Sequence, residues 1–175
     1  MIRPIVLSAA TAALVGLAAC SSSDKKEAAI LCPEIMLPDD ADEVTRFRAG
    51  GGVDLTDVEF QARITGSGLS CSKGEGRETV VDVAIGFEGA RGPAATAPSF
   101  PLDYFVAVVG PDGQILNREG FRIEMQLPDR RSLGSRTDEI RVTIPVAEGR
   151  EASDYRLYAG IQLTPDELKY NRELR

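Results

Sequence analysis

Apolar and polar residues alternate along most of this chain with a period of two, which is the side-chain spacing of a β-strand with one buried face. Val58, Phe60, Ala62 and Ile64 show the pattern, because a charged or polar residue separates each from the next. The alternation recurs around residue 44 and at residues 81–87, 121–127, 140–144 and 155–163, while residues 104–109 are apolar on both faces. About seven strands within about 130 residues predict an all-β fold, an antiparallel β-sandwich with Greek-key connections.

Turn and cap residues set the ends of two of these elements. Gly110-Pro111-Asp112-Gly113 is a strong turn sequence, and it predicts a hairpin between the strands on either side of it. Near the end of the chain, Thr164 can cap a helix, Pro165 suits its first position and Glu167 completes a capping box. The sequence therefore predicts one short C-terminal helix.

The pair Asp154-Tyr155 precedes the last long strand and resembles the tyrosine corner of immunoglobulin and fibronectin type III domains. The resemblance covers about residues 40–163 and implies an immunoglobulin/fibronectin-III-like sandwich. The alternative is that Tyr155 is an ordinary core aromatic. Two features depart from a true immunoglobulin domain, since the chain has no tryptophan and Cys32 precedes the first predicted strand.

The chain opens with a short apolar run that has Arg3 as its only charge and ends in Leu17-Ala18-Ala19-Cys20. Its length suits a signal peptide and falls short of the ~20 residues of a membrane-spanning helix. The segment resembles the lipobox of bacterial lipoproteins; the alternative is an ordinary secretory signal that contains Cys20. The resemblance implies removal of residues 1–19, a lipid on Cys20, a tether at residues 20–31 and a sandwich domain at residues 32–175.

The residue after the lipobox indicates in which bacterial membrane a lipoprotein is retained. Ser21 stands where inner-membrane lipoproteins usually carry Asp, so the resemblance implies the outer membrane, with the domain on its periplasmic face. Two or three acyl chains hold a protein firmly at a bilayer, whereas one chain binds reversibly. The membrane is thus an expected partner, reached through the lipid anchor, and the polar segment 21–29 would act as a flexible tether of about 17 Å.

Cys32 and Cys71 are the two cysteines that remain once Cys20 is assigned to the lipid. In the oxidising periplasm, two thiols in one small domain are expected to form a disulfide. They make a poor metal site without histidine, and they lie too far apart for a Cys-x-x-Cys redox motif. We therefore expect a structural disulfide and no metal.

Composition excludes several classes of function. Without residues 1–19 the chain keeps 156 of its 175 residues, with 19 basic against 27 acidic side chains and a net charge of −8. A protein this acidic is not expected to bind nucleic acid. Histidine is absent, so no Ser-His or Cys-His nucleophile pair exists and no imidazole can bind a transition metal. The prediction is a protein that is not an enzyme and has no cofactor.

Two loops carry charge clusters. Arg130, Arg131 and Arg136 surround a turn-rich segment, and guanidinium groups so gathered can bind phosphate or carboxylate; pairing with neighbouring aspartates is the simpler alternative. The acidic residues Asp39, Asp40, Asp42 and Glu43 could hold Ca²⁺, but they lack the spacing of a calcium loop. A solvated acidic turn is therefore the favoured interpretation there.

Phe100, Tyr104 and Phe105 follow a proline-rich segment, and if one face of their strand stays open they could form a patch on which a partner docks. The favoured interpretation is a central strand covered by the C-terminal helix through Leu168 and Tyr170.

Cys32-Pro33, a predicted turn at Gly68-Leu69-Ser70-Cys71 and the strand at residues 104–108 are similar to a family of alphaproteobacterial envelope lipoproteins, and that resemblance implies no activity. Together these observations favour a membrane-anchored, non-enzymatic lipoprotein that acts as a periplasm-facing adaptor for an envelope protein partner. The alternative function is an anionic small-ligand binder that uses the Arg130–Arg136 loop.

Overall fold

Two four-stranded sheets face each other across a core built from the alternating apolar residues. The computed structural model describes residues 30–127 and 133–174. One sheet has the order β1-β8-β5-β6 and the other β2-β3-β4-β7. The elements are β1 (Glu34–Met36), β2 (Glu43–Phe47), β3 (Val58–Lys73), β4 (Glu78–Arg91), β5 (Ser99–Val109), β6 (Ile115–Gln126), β7 (Gly134–Pro145), β8 (Arg156–Ile161) and α1 (Pro165–Glu173).

The core confirms the predicted all-β sandwich. Tyr104 of β5 lies between the rings of Phe87 and Phe121, with ring centres 5.0 and 5.1 Å away. Phe60 of β3 stacks on Phe100 of β5 at 4.9 Å, which joins the two sheets a second time. Phe60, Phe87 and Phe121 come from the apolar faces of β3, β4 and β6, so the period-two pattern identified the buried face of these three strands correctly.

Three features of the sheets differ from the prediction. β1 was not expected, and it pairs with β8 in parallel, so the sandwich is not wholly antiparallel. The segment Gly68-Leu69-Ser70-Cys71 was expected as a turn, but it lies within β3, because every one of its residues pairs with β4. The β3–β4 turn comes later, at residues 74–77, where Gly74 N donates to Glu78 O over 2.9 Å.

The C-terminal helix begins as predicted. The side chain of Thr164 accepts from Glu167 N, and Glu167 in turn accepts from Thr164 N, which completes the capping box. The helix packs against β2 rather than over β5: the ring of Tyr170 lies 5.1 Å from that of Phe47, edge to face. β5 is a central strand between β8 and β6, as the favoured interpretation expected, but the helix expected to cover it through Leu168 and Tyr170 packs on β2 instead.

The connections between strands gather at the two ends of the sandwich. One end, the hairpin end, holds the turns at residues 74–77 and 110–114 and the connection 146–155, where Val146 N donates to Arg77 O over 3.0 Å. The other, the loop end, holds residues 48–57 and 92–98, where Ala94 N donates to Val58 O over 2.9 Å. The 16 residues of β3 separate the two ends, a distance of roughly 50 Å.

The predicted signal peptide, lipobox and tether up to residue 29 lie outside the described residues. Within the described part of the chain, no helix combines the length and the apolar character needed to cross a bilayer.

Candidate functional site

A disulfide joins Cys32 to Cys71, as predicted, with Cα atoms 5.7 Å apart. Cys71 lies two residues before the end of β3. The disulfide therefore holds the N-terminal end of the described chain at the hairpin end of the sandwich, and Ile30 and Leu31 line a hollow there with Arg77 and Val146.

The opposite end carries the ordered loop of residues 48–57, which is built around the buried carboxylate of Asp57. Arg48 Nε donates to Asp57 Oδ1 over 2.6 Å, and Gly52 N donates to Asp57 Oδ2 over 3.0 Å. Gly51 lies so close that an added Cβ would stand 2.7 Å from Arg48 Cγ. A side chain at that position would displace the ion pair, so the loop requires glycine there.

Two apolar side chains project from this loop. Val53 is 71% exposed and Leu55 is 76% exposed. Asp54 between them accepts hydrogen bonds from Thr56 N at 2.9 Å and from Thr56 Oγ1 at 3.0 Å, and these bonds lower the pKa of the Asp54 carboxyl. The local bonds fix the backbone, so the loop presents Val53 and Leu55 to solvent at little further entropic cost on binding. Sequence analysis missed them; the available signal was the Asx cap at Asp54 after a glycine run.

The arginine cluster is only partly described. Arg130 and Arg131 lie outside the described residues, whereas Arg136 is on β7. Its Nη2 lies 4.0 Å from Asp138 Oδ1, which is a loose ion pair. Anion binding by this loop therefore stays a prediction, and the local pairing that was weighed against it is present at Arg136.

Phe100, Tyr104 and Phe105 do not form one exposed patch, and that prediction is wrong for Tyr104, which is fully buried. Phe100 stacks on Phe60 at the edge of the core. Phe105 alone reaches the outer face of its sheet, where the Arg118 guanidinium lies 4.3 Å from the ring centre. The reason is the strand itself, because neighbouring residues point to opposite faces.

The acidic residues near the start of β2 brace the C-terminal helix. Asp40 Oδ2 accepts from Arg172 Nε over 2.7 Å, and Asn171 Nδ2 donates to the carbonyl oxygens of Asp40 and Glu43 at 3.0 and 2.8 Å. In the described ranges no three potential metal ligands come together. These bonds indicate that the acidic segment 39–43 helps to hold α1 in place.

Comparison with known proteins finds no match to any family model and no match to any curated protein sequence.

Proposed function

We propose that this chain is a non-enzymatic lipoprotein of the bacterial outer membrane, tethered through Cys20, whose sandwich acts as a periplasm-facing interaction module. The observation that carries the proposal is the placement of two features at opposite ends of the fold. The Cys32–Cys71 disulfide lies at the hairpin end, and the exposed side chains of Val53 and Leu55 lie at the loop end.

This arrangement suits a tethered adaptor. Only 11 residues separate the lipobox cysteine from Cys32, so a lipid on Cys20 would keep the hairpin end near the bilayer. The length of β3 would then hold the loop end roughly 50 Å further from the membrane. A rigid loop with exposed aliphatic side chains is suited to contact an apolar pocket of a partner protein, because burial of apolar surface is the dominant favourable term in most protein–protein association.

The proposal includes an immunoglobulin-like sandwich. In its favour, Tyr155 Oη accepts a hydrogen bond from Ala147 N at 2.8 Å, where the chain passes from β7 in one sheet to β8 in the other. A tyrosine hydroxyl bonded to backbone a few residues upstream at such a crossing is the defining contact of a tyrosine corner. The contact also favours that interpretation of Tyr155 over the one of an ordinary core aromatic.

Crosslinked recovery from bacterial membranes tests the adaptor role. The wild type is compared with a variant that combines Val53→Ser and Leu55→Ser, and with a matched control that combines Ile115→Ser and Leu116→Ser. The control removes two exposed apolar side chains, 65% and 49% exposed, near the hairpin end.

We expect the wild type and the control to recover the same partner protein, and the loop variant to recover at least tenfold less. Recovery of this chain alone under several crosslinkers, or equal losses in both variants, would contradict the proposal.

A further inference from the structure

One half of β3 forms an open sheet edge. β2 pairs with the other half of β3, from Val58 to Arg63, and its first residue, Glu43, lies opposite Arg63. The next bond along β3 runs from Ile64 N to Asp42 O over 2.7 Å, just before β2 begins. Beyond that point, no described strand lies on this side of β3. Residues 65–70, which we call the edge window, are therefore bounded by the start of β2 and by Cys71 of the disulfide.

The window offers backbone groups for pairing. Along two antiparallel strands, residue pairs that are hydrogen-bonded to each other alternate with pairs that are not. The bond from Gly74 N to Glu78 O therefore shows which residues of β3 bond to β4. Counting back from it in steps of two, Gly66, Gly68 and Ser70 bond to β4. Ser67 and Leu69 direct their N–H and C=O groups toward the open side, where an added strand would meet them.

The window starts at a β-bulge, seen as the register shift between Ile64 and Gly66, but it has none of the charges and prolines found at other described edges. Its sequence, Thr-Gly-Ser-Gly-Leu-Ser, contains no charge and no proline. By contrast, β1 is three residues long and lies between prolines, β6 carries charges such as Arg118 and Glu119, and β7 carries the inward-facing Asp138. Bulges, short strands, charges and prolines are devices by which proteins block unwanted strand pairing, and residues 67–70, beyond the bulge, carry none of them.

A trough on the surface beside the window determines which side chains a pairing strand could place there. On the outer face a shallow trough of about 620 Å³ runs from Gly68 of β3 past Asp82 and Ala84 of β4 to Glu139 and Arg141 of β7. Gly68 pairs with Ala84 at the β3 side of the trough. No atom lies within 4 Å of a Cβ built at Gly68. A bulky apolar or aromatic side chain on an added strand would lie at the β3 side of this trough and pack on the backbone of Gly68.

We propose that the edge window binds an extended peptide segment of another protein, about six residues long, uncharged at its centre and with one bulky apolar side chain over Gly68. A second copy of β3 fits poorly, because antiparallel pairings centred on residue 67, 68 or 69 would place Gly66, Gly68 or Ser70 opposite Gly68, and none of these side chains is bulky. The chain's own tether also fits poorly, since Asp24, Lys25, Lys26 and Glu27 are charged. This inference does not depend on the lipid anchor.

Selection of displayed random heptapeptides on the full-length chain in detergent tests the proposal. Affinities of the selected peptides are then measured for the wild type, for Gly68→Lys and for Gly120→Lys. Gly120 is the matched control, because it lies on edge strand β6 and a Cβ there meets nothing closer than 4.0 Å. Hydrogen exchange at Ser67 and Leu69 provides an independent readout.

We expect Gly68→Lys to weaken binding at least tenfold and Gly120→Lys to change it less than twofold. Bound peptide should slow amide exchange at Ser67 and Leu69 at least tenfold. Cys20→Ala should bind peptide as the wild type does, which separates this inference from the anchoring proposal. Failure to select any peptide, equal binding to Gly68→Lys, or a dimer that Gly68→Lys dissociates would overturn it.

Discussion

Tyr104 Oη donates a hydrogen bond of 2.7 Å to Asp138 Oδ2, and this bond joins β5 in one sheet to β7 in the other. Asp138 points inward from an edge strand, where its carboxylate is partly open to solvent. Burial, and then the hydrogen bond to Asp138, raise the pKa of Tyr104 above its usual value. The pair therefore stabilises the packing of β5 against β7, and the inward-facing carboxylate of Asp138 also blocks strand addition at β7.

Tyr104→Phe is expected to lower the free energy of unfolding by about 1–2 kcal/mol, because it removes one hydrogen bond to a charged acceptor and leaves the ring in place. Tyr158→Phe is the matched control, since Tyr158 lies on the outer face of β8 and is half-buried. Its expected effect is below about 0.5 kcal/mol. Urea denaturation at pH 7 measures both; equal midpoints for the two variants would contradict the assigned role.

The same bond predicts a dependence on alkaline pH. The unfolded chain ionises tyrosine near pH 10, whereas folded Tyr104 stays protonated because its pKa is raised. The unfolded state therefore releases a proton that the folded state keeps, and the contribution of Tyr104 to stability is complete below about pH 10 and falls above it. Unfolding free energies of the wild type and of Tyr104→Phe should converge from pH 8 to pH 11. A constant difference would contradict the prediction.

The Cys32–Cys71 disulfide spans 39 positions of sequence. In the chain-entropy model, a closed loop of this size stabilises the folded state by about 4 kcal/mol. The combined variant Cys32→Ala and Cys71→Ala is expected to lose about that amount in urea denaturation. The wild type kept in reductant controls for the effect of replacing the two cysteine side chains, and its free energy of unfolding should fall by a similar amount. No change in either sample would contradict a structural role for the disulfide.

Asn171 joins the C-terminal helix to the segment before β2 through its two bonds to backbone carbonyls. Asn171→Ala should cost about 1–3 kcal/mol, because two partly buried carbonyl acceptors lose their buried donor. Faster hydrogen exchange should be confined largely to α1. Lys169→Ala, on the exposed side of the same helix, should leave exchange unchanged. The docking role fails if both variants behave alike.

Local patterns were sufficient to predict seven of the eight described strands and the helix. The alternation from Val58 to Ile64 predicted β3, and the capping box at Thr164 and Glu167 predicted the start of α1. β1 was missed because a strand of three residues, in the four-residue stretch between Pro33 and Pro38, is too short to show a period, and its partner β8 lies more than 110 residues away. Pairing over such a distance leaves no local signal.

The binding surfaces were harder to predict, because burial depends on both sheets at once. Tyr104 and Phe105 are both apolar, so the sequence could not say which one faces the core. The first part of β7 was also missed, since Asp138 is an inward-facing charge that breaks the alternation. The edge window was hidden for a different reason, because its exposure depends on where β2 begins.

Metabolic labelling of bacterial cells with an alkyne analogue of palmitate tests the central claim, a lipid on Cys20, most directly. The account predicts label on the wild type and on the variant that combines Cys32→Ala and Cys71→Ala, and none on Cys20→Ala. Label that persists on Cys20→Ala, or an unlabelled wild type, would contradict it.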